Sequence, residues 1–470
     1  MGGFLQLVST LVATIQGKPV VARDHCLAPD RIVDAPIYGG RYGRMFPDLP
    51  PFSADEEFLH MIGSAGGLCD ATSAEAHGGD DATVAAGWPF VGQFVAHDIT
   101  ADRSPLRSHT EADQLRNFRT PRLNLECVYG GGPVGSPYLY QRDDPAKLLL
   151  GAGGNDVPRN HEQLALIGDP RNDVHIFVNQ LHVAFLRTHN LVVDRLREDG
   201  VPESDIFDEA RRATMWHYQW LMLRDYLPGL IGEDLACQIA DEGPSHYVPE
   251  GEPYIPFEFA DAAFRYGHSQ IRHRYRINER SSDVPMFPDL MGFGPVPPEH
   301  SVDWWLLFDL HGRPPAQRAK RMDGRVPASL INLPAQITGD VDVEAYHSLA
   351  ARDLQRGQAI GLPSGEAVAR AIGAEALDPA EVGLVRHGWR GETPLWFYIL
   401  READVVGDGD RLGPVGGRIV GEVLVGMLQS DPEGFLSADP GWQPTLPAAN
   451  ADRFCLADLL TIGQATMGDA

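Results

Sequence analysis

Apolar residues recur along this chain at helical rather than alternating spacing. In WPFVGQFVAHDIT (88–100), Pro89 suits a first helical turn, so the pattern predicts a helix starting near Trp88. Gln93 and His97 then stand one turn apart on one face, while Phe90, Val91, Phe94 and Val95 cover most of the remaining circumference, as in a buried helix. Residues 168–200 read GDPRNDVHIFVNQLHVAFLRTHNLVVDRLREDG. Asp169 is a good N-cap, Pro170 a good first residue, and Gly200 stops the run. About 30 residues would span roughly 45 Å. Arg171 falls in the first turn, where the helix dipole disfavours a cation; that cost points to a task for the side chain or to a carboxylate nearby. Residues 205–227, with Trp216, Tyr218, Trp220 and Tyr226, predict a further helix ended by Pro228-Gly229. Residues 256–278 predict another, in which Ala260, Phe264, His268 and Ile271 fall on one stripe, and 417–429 another. Strand signals are few and short, and 128–137 and 404–414 read as turns.

The expectation is therefore a mainly α protein with little β structure. No linker and no fixed-period repeat divides the 470 residues, and 37 Pro and 50 Gly are scattered rather than clustered. This favours a single large domain over 41–450, flanked by an N-terminal arm (1–40) and a C-terminal tail (451–470). A net charge of −26 disfavours nucleic acid and anionic membrane surfaces as partners. The five cysteines are dispersed without a C-x-x-C, as for free thiols in a reducing compartment. The first residues lack a basic n-region and a small-residue cleavage site, and no run of apolar residues is long enough to suggest a transmembrane segment. Cytoplasmic location is the expectation, with secretion by a non-standard route the alternative.

Several enzyme signatures are absent. VYGGGPVG lacks a phosphate-loop ending, and neither an H-E-x-x-H nor a G-x-S-x-G occurs. Among 17 histidines, most suit satisfied core positions, including His182, His189 and His217, while His273 lies among basic residues as on a surface. His97 and His268 differ, because each comes with chemically matched neighbours.

Five strings, in order, carry a resemblance: GQFVAHDIT (92–100), RLNLECVYGGGP (122–133), GDPRND…LHVAFLRTHN (168–190), FRYGHSQIRHRYRIN (264–278), and GLPSG (361–365) with LGPVGGRIVGEVLVGML (412–428). Together they resemble the animal-type haem peroxidases of the peroxidase–cyclooxygenase superfamily, as a bacterial-type member. The resemblance runs from about Tyr42 to about Pro447. It implies a helical haem-peroxidase domain and a haem enzyme that reduces hydrogen peroxide through a ferryl intermediate, oxidising a small electron donor. A role in the response to oxidative stress would accompany it.

By that resemblance His97 is the distal base, Gln93 the distal amide and Arg171 the distal cation. His268 is the proximal iron ligand, and Arg265 contacts the haem edge. Base and cation suit the chemistry, since one moves the peroxide proton and the other stabilises developing negative charge. The resemblance also implies calcium at Asp98 with Thr120, the Arg122 carbonyl, Asn124 and Glu126, all hard oxygen donors. Three departures stand out. Ala96 and Val174 occupy the positions of the carboxylates that esterify haem in mammalian relatives, and His175 that of a sulfonium-forming methionine. Haem b without ester bonds is therefore expected, and with it bromide, iodide or organic donors rather than chloride. Glu366 takes the place expected for an amide that accepts the proximal histidine's N–H. Arg265 replaces the tyrosine of fatty-acid dioxygenases, with Tyr266 on another face, which disfavours that alternative. A non-enzymatic haem-binding protein would need only His268, and a zinc hydrolase would need ligands that the sequence does not supply.

Overall fold

The computed structural model describes residues 40–72, 81–101, 115–339, 343–450 and 453–465. Apart from Gly40, the N-terminal arm lies outside them. The principal helices are α1 (Glu56–Gly63), α2 (Trp88–Ile99), α3 (Ile176–Glu198), α4 (Ile206–Leu221), α5 (Glu233–Glu242), α6 (Leu349–Ala359), α7 (Gly365–Ala371), α8 (Leu395–Val406), α9 (Pro414–Ser430) and α10 (Leu456–Ala465). They share one continuous apolar core, and α3, α8 and α9 each contribute long buried faces to it. Helix α10 packs on α3 and buries Leu456, Leu459 and Leu460. Within the expected C-terminal tail, Leu456–Ala465 thus pack on the body, because their apolar spacing gives them a face to bury.

Strands are short and serve the loops. β1 (Gly40–Gly43) pairs antiparallel with β3 (Arg116–Asn117) and parallel with β4 (Ile255–Pro256). β2 (Asp81–Ala85) leads into α2 and pairs antiparallel with β7 (Arg318–Lys320). β5 (Arg274–Tyr275) pairs with β6 (Val284–Pro285) just after His268.

Three expected helices differ from the observed ones. The run from Asp169 is not one helix: Pro170–Asp173 form a 3₁₀ turn capped by Asp169, and α3 begins only after His175. His175 has extended backbone, and its Nδ1 accepts from the Val178 amide, so the ring is itself the N-cap. The segment after α4 passes through a π turn (Met222–Tyr226) and continues to Ile231. Pro228 begins this last piece instead of ending the helix, since a first-turn proline needs no donor; Gly232, at φ 86°, stops it. Finally, 256–278 is not an α-helix but a short turn (Phe257–Ala260) followed by a 3₁₀ segment (Ala263–Ser269). The Arg265 Nε donates to the Ala260 carbonyl and Nη2 to Asp261, so the side chain occupies acceptors at the break.

Candidate active site

Helix α2 is buried on nearly every side. Its incompletely buried positions are Trp88, Gln93 and Ala96, and Thr100 caps its C-terminus. Gln93, Ala96 and Thr100 are spaced by three and four, and His97, 8% exposed, lies within their stripe. This stripe is the partly open, cleft-side face of an otherwise buried helix. The 3₁₀ segment carrying His268 packs directly on α2, with the Gly267 backbone against Pro89.

His97 is held from behind. Its Nδ1 lies 2.7 Å from the Asn172 Oδ1, in the turn that also carries Arg171. Among the described residues, its Nε2 has no hydrogen-bonding partner. Burial, reinforced by the Arg171 charge, pushes its pKa down to about 3, so the ring is neutral. The Arg171 Nε and Nη2 grip Asp169 at 3.0 and 2.8 Å, and Nη2 also donates to the His97 and Thr100 carbonyls. Its Nη1 has no protein partner among the described residues. Asp169 also receives Arg119 at 2.6 Å. Burial would raise Asp169, but Arg171 and Arg119 outweigh it and hold the carboxyl below its usual range. A carboxylate thus sits beside the cation in this turn, while Nη1 stays unpaired among the described residues.

Gln93 is oriented by His175. The His175 Nδ1 is the acceptor of the α3 cap, so its Nε2–H donates to the Gln93 Oε1 at 2.7 Å. The Gln93 amide nitrogen is then the group left to face the cleft. Ala96 and Val174 are both partly open and carry no carboxylate.

On the adjoining 3₁₀ segment, His268 donates through Nδ1 to the Asp353 Oδ2 at 2.6 Å, and the Arg265 Nη1 donates to Oδ1 of the same carboxylate at 2.7 Å. The 3₁₀ geometry explains this, because residues three apart eclipse one another and Arg265 and His268 project together. Asp353, on α6, is fully buried. Burial would raise its pKa, but His268 and Arg265 outweigh it and keep it ionised. Glu366 does not fill this role. Its carboxylate receives the amide and hydroxyl of Thr393 at 2.8 and 2.7 Å, where it fixes the entry to α8. Asp353 lies in plain view in the sequence, but no local pattern singles out one helical carboxylate from another.

The Asp98 carboxylate turns away from the cleft and accepts the Leu125 and Cys127 amides at 3.0 and 3.1 Å. Burial raises its pKa to about 7. The Thr120 hydroxyl donates to the Glu126 carboxylate at 2.6 Å and accepts from the Asn124 side-chain amide at 3.2 Å, and Arg119 donates to the other Glu126 oxygen at 3.1 Å. The Arg122 side chain points towards Asp431 and Glu252. His189 and His217 are satisfied core residues, with both ring nitrogens hydrogen-bonded. His182 is buried as expected, but it also belongs to the site: the Asn172 Nδ2 lies 3.0 Å from its Nδ1.

Two histidines, each tethered through Nδ1 and without an Nε2 partner among the described residues, thus lie on adjoining elements, with an arginine and an amide beside one of them. A family model described as animal haem peroxidase matches residues 106–380. The chain belongs to the animal haem peroxidase family, which is haem-dependent. It is 25% identical to thyroid peroxidase from Rattus norvegicus over 382 residues, covering 71% of this chain and 40% of that protein. The chain spans less than half the length of the curated relatives it matches. In fold it is similar to peroxidase A from Dictyostelium discoideum, with a TM-score of 0.63 at 14% identity, covering 93% and 95% of the two chains. It is also similar in fold to a fatty acid alpha-dioxygenase from Arabidopsis thaliana, with a TM-score of 0.59 at 14% identity, covering 90% and 77%.

Proposed function

We propose that this chain is a haem-dependent peroxidase that reduces hydrogen peroxide and oxidises a small organic donor or a halide, bromide or iodide in preference to chloride. The observation that carries this is the pair of histidines with free Nε2 atoms: one backed by a buried carboxylate, the other by a neutral amide. His268 would hold the haem iron, and bound haem would supply the redox centre for peroxide. The Asp353 carboxylate orients the His268 ring and makes Nε2 a stronger electron donor. His97, neutral and with Nδ1–H committed to Asn172, keeps a lone pair on Nε2 and can take a proton from a peroxide held in the cleft, then return it. The Arg171 Nη1 offers a fixed positive charge beside that proton path. Gln93 presents N–H donors to water or a small anion. Ala96 and Val174 supply no carboxylate for an ester, so haem b is held without covalent links; this underlies the preference against chloride.

Calcium at the Asp98 loop belongs to the same proposal. Among the described residues no cationic side chain bonds to buried Asp98, and the Thr120, Asn124 and Glu126 oxygens gather beside the turn it caps. That donor set suits a hard dication, with the Arg122 carbonyl as a further ligand. Dioxygenase chemistry is less well supported: Arg265, not a tyrosine, shares the turn with His268, and the Tyr266 hydroxyl is engaged with Tyr226 at 2.7 Å. Among the described residues no helix is long and apolar enough to cross a membrane. A cytoplasmic location is proposed from the sequence alone.

The test is the absorption spectrum of the haem-supplemented protein, with and without peroxide. A Soret band that responds rapidly to peroxide is expected. His268→Ala should lose iron ligation, while His97→Ala should keep haem and slow the peroxide reaction by about 10²–10⁴-fold. A missing Soret band would defeat the proposal, and oxygen uptake with linoleate in the absence of peroxide would favour the dioxygenase.

A further inference from the structure

Behind His97 lies a polar chain in the core. The His97 Nδ1 meets the Asn172 Oδ1 at 2.7 Å, and the Asn172 Nδ2 meets the His182 Nδ1 at 3.0 Å. All three side chains are buried: Asn172 and His182 have no exposed surface, and His97 has 8%. An amide oxygen only accepts and an amide nitrogen only donates. The His97 Nδ1 therefore carries a hydrogen, and the His182 Nδ1 does not. Reversing the amide would turn both assignments over together: Asn172 would donate to a bare His97 Nδ1, and the ring proton would move to Nε2. His97 would then face the cleft with an N–H and no lone pair. Two self-consistent arrangements exist, and they differ in whether the cleft contains a base. In the observed one Asn172 accepts from His97 and donates to His182.

We infer that His182, about 10 residues along the chain from Asn172 and outside the cleft, is a positioning residue that sets the tautomer of His97 by locking the Asn172 amide. The inference deepens the proposed function, because it concerns the residue assigned there as the base. His182 has no exposed surface and reaches His97 only through Asn172. It lies on α3, so the long helix that builds the core also fixes the protonation pattern at the site. The Asn172 turn and His97 on α2 are brought to it from separate segments. His182 Nε2 has no partner among the described residues, so its Nδ1 is its sole polar tie.

Nitrogen-15 NMR of histidine-labelled protein at neutral pH reads the tautomer directly and needs no haem; the His97 signals are assigned by their loss in His97→Gln. In the wild type, His97 should show a protonated Nδ1 and a bare Nε2. His182→Phe and Asn172→Ala should each shift it towards the Nε2–H form, and His182→Gln, whose amide oxygen can accept from Asn172, should restore the wild-type pattern. In the haem-loaded protein, cyanide association, which needs a base to take the proton of hydrogen cyanide, should slow by about tenfold or more in His182→Phe and recover in His182→Gln. Circular dichroism identifies folded variants, and Asn172→Ala breaks the same chain from its other end should His182→Phe not fold. An Nε2–H wild type, or a folded Asn172→Ala or His182→Phe with unchanged His97 signals, would overturn the inference. A wild type with the expected tautomer and variant shifts but no peroxide reaction would uphold the relay while defeating the peroxidase proposal.

Discussion

Replacing Asp353 by asparagine separates two effects of the proximal carboxylate. The amide keeps the shape and an oxygen for the His268 Nδ1–H, now 2.6 Å from Oδ2, but removes the charge. Arg265 loses one partner and keeps Asp261 at 2.6 Å. A hydrogen bond to a charged group contributes about 1.5–3 kcal/mol and one to a neutral group about 0.5–1.5. The substitution therefore weakens the proximal bond by about 1–1.5 kcal/mol. A charged acceptor pushes electron density through the imidazole and favours the ferric state, so weakening it should raise the ferric/ferrous midpoint. At about 59 mV for each tenfold change in a one-electron couple, the rise should be about 45–65 mV at most. A spectroelectrochemical titration of the haem-loaded protein measures it. Glu366→Gln is the matched control and should leave the midpoint where it is, because Glu366 is engaged with Thr393. An unchanged or lowered midpoint in Asp353→Asn, or equal shifts in both variants, would refute the reasoning.

Acid should unfold the chain through its buried histidines. Burial pushes the pKa of His97 and His175 down to about 3 and of His182, His189 and His217 to about 4. Each is neutral in the fold and titrates near 6.5 when unfolded, so its stabilisation is complete above about pH 6.5 and is lost as pH falls towards 3–4. At about pH 5 each costs about 2 kcal/mol, and Asp98 and Glu402, whose carboxyls burial raises to about 7, offset only part of that total. The unfolding midpoint should drop steeply below about pH 6, and a midpoint constant down to about pH 4 would contradict this. If calcium sits at the Asp98 loop, chelation from about a hundredfold excess over its Kd removes about 2.7 kcal/mol, or roughly 3 °C for a chain of this size. A melting temperature indifferent to chelation and readdition would remove calcium from the proposal.

Much of the site was legible in local pattern. The greasy helix with Gln93 and His97 on one face, the cation held against the dipole at Arg171, and the Arg265–His268 spacing were all visible along the chain. Backbone form was less so. An i, i+4 stripe through His268 suggested an α-helix, yet the Arg265 side chain takes the acceptors at the break and the segment winds as a 3₁₀ turn. The family resemblance points to Glu366, one helix beyond Asp353, because local pattern does not reveal which of two helical carboxylates faces His268.

The sequence by itself determined the helical class, the order of the elements and the residue types at the two histidine sites, since periodicity, caps and side-chain chemistry are local properties. The tertiary structure alone decided the partners: Asp353 for His268, Asp169 for Arg171, His175 for Gln93, and Asn172 with His182 for His97. Asp169 and Arg171 are neighbours in one turn, but Asp353 with His268, His175 with Gln93 and Asn172 with His97 join segments distant along the chain, and they exist only when burial removes water as the competing partner. They also govern protonation, because a histidine becomes a base, an iron ligand or a core residue according to what holds its other nitrogen.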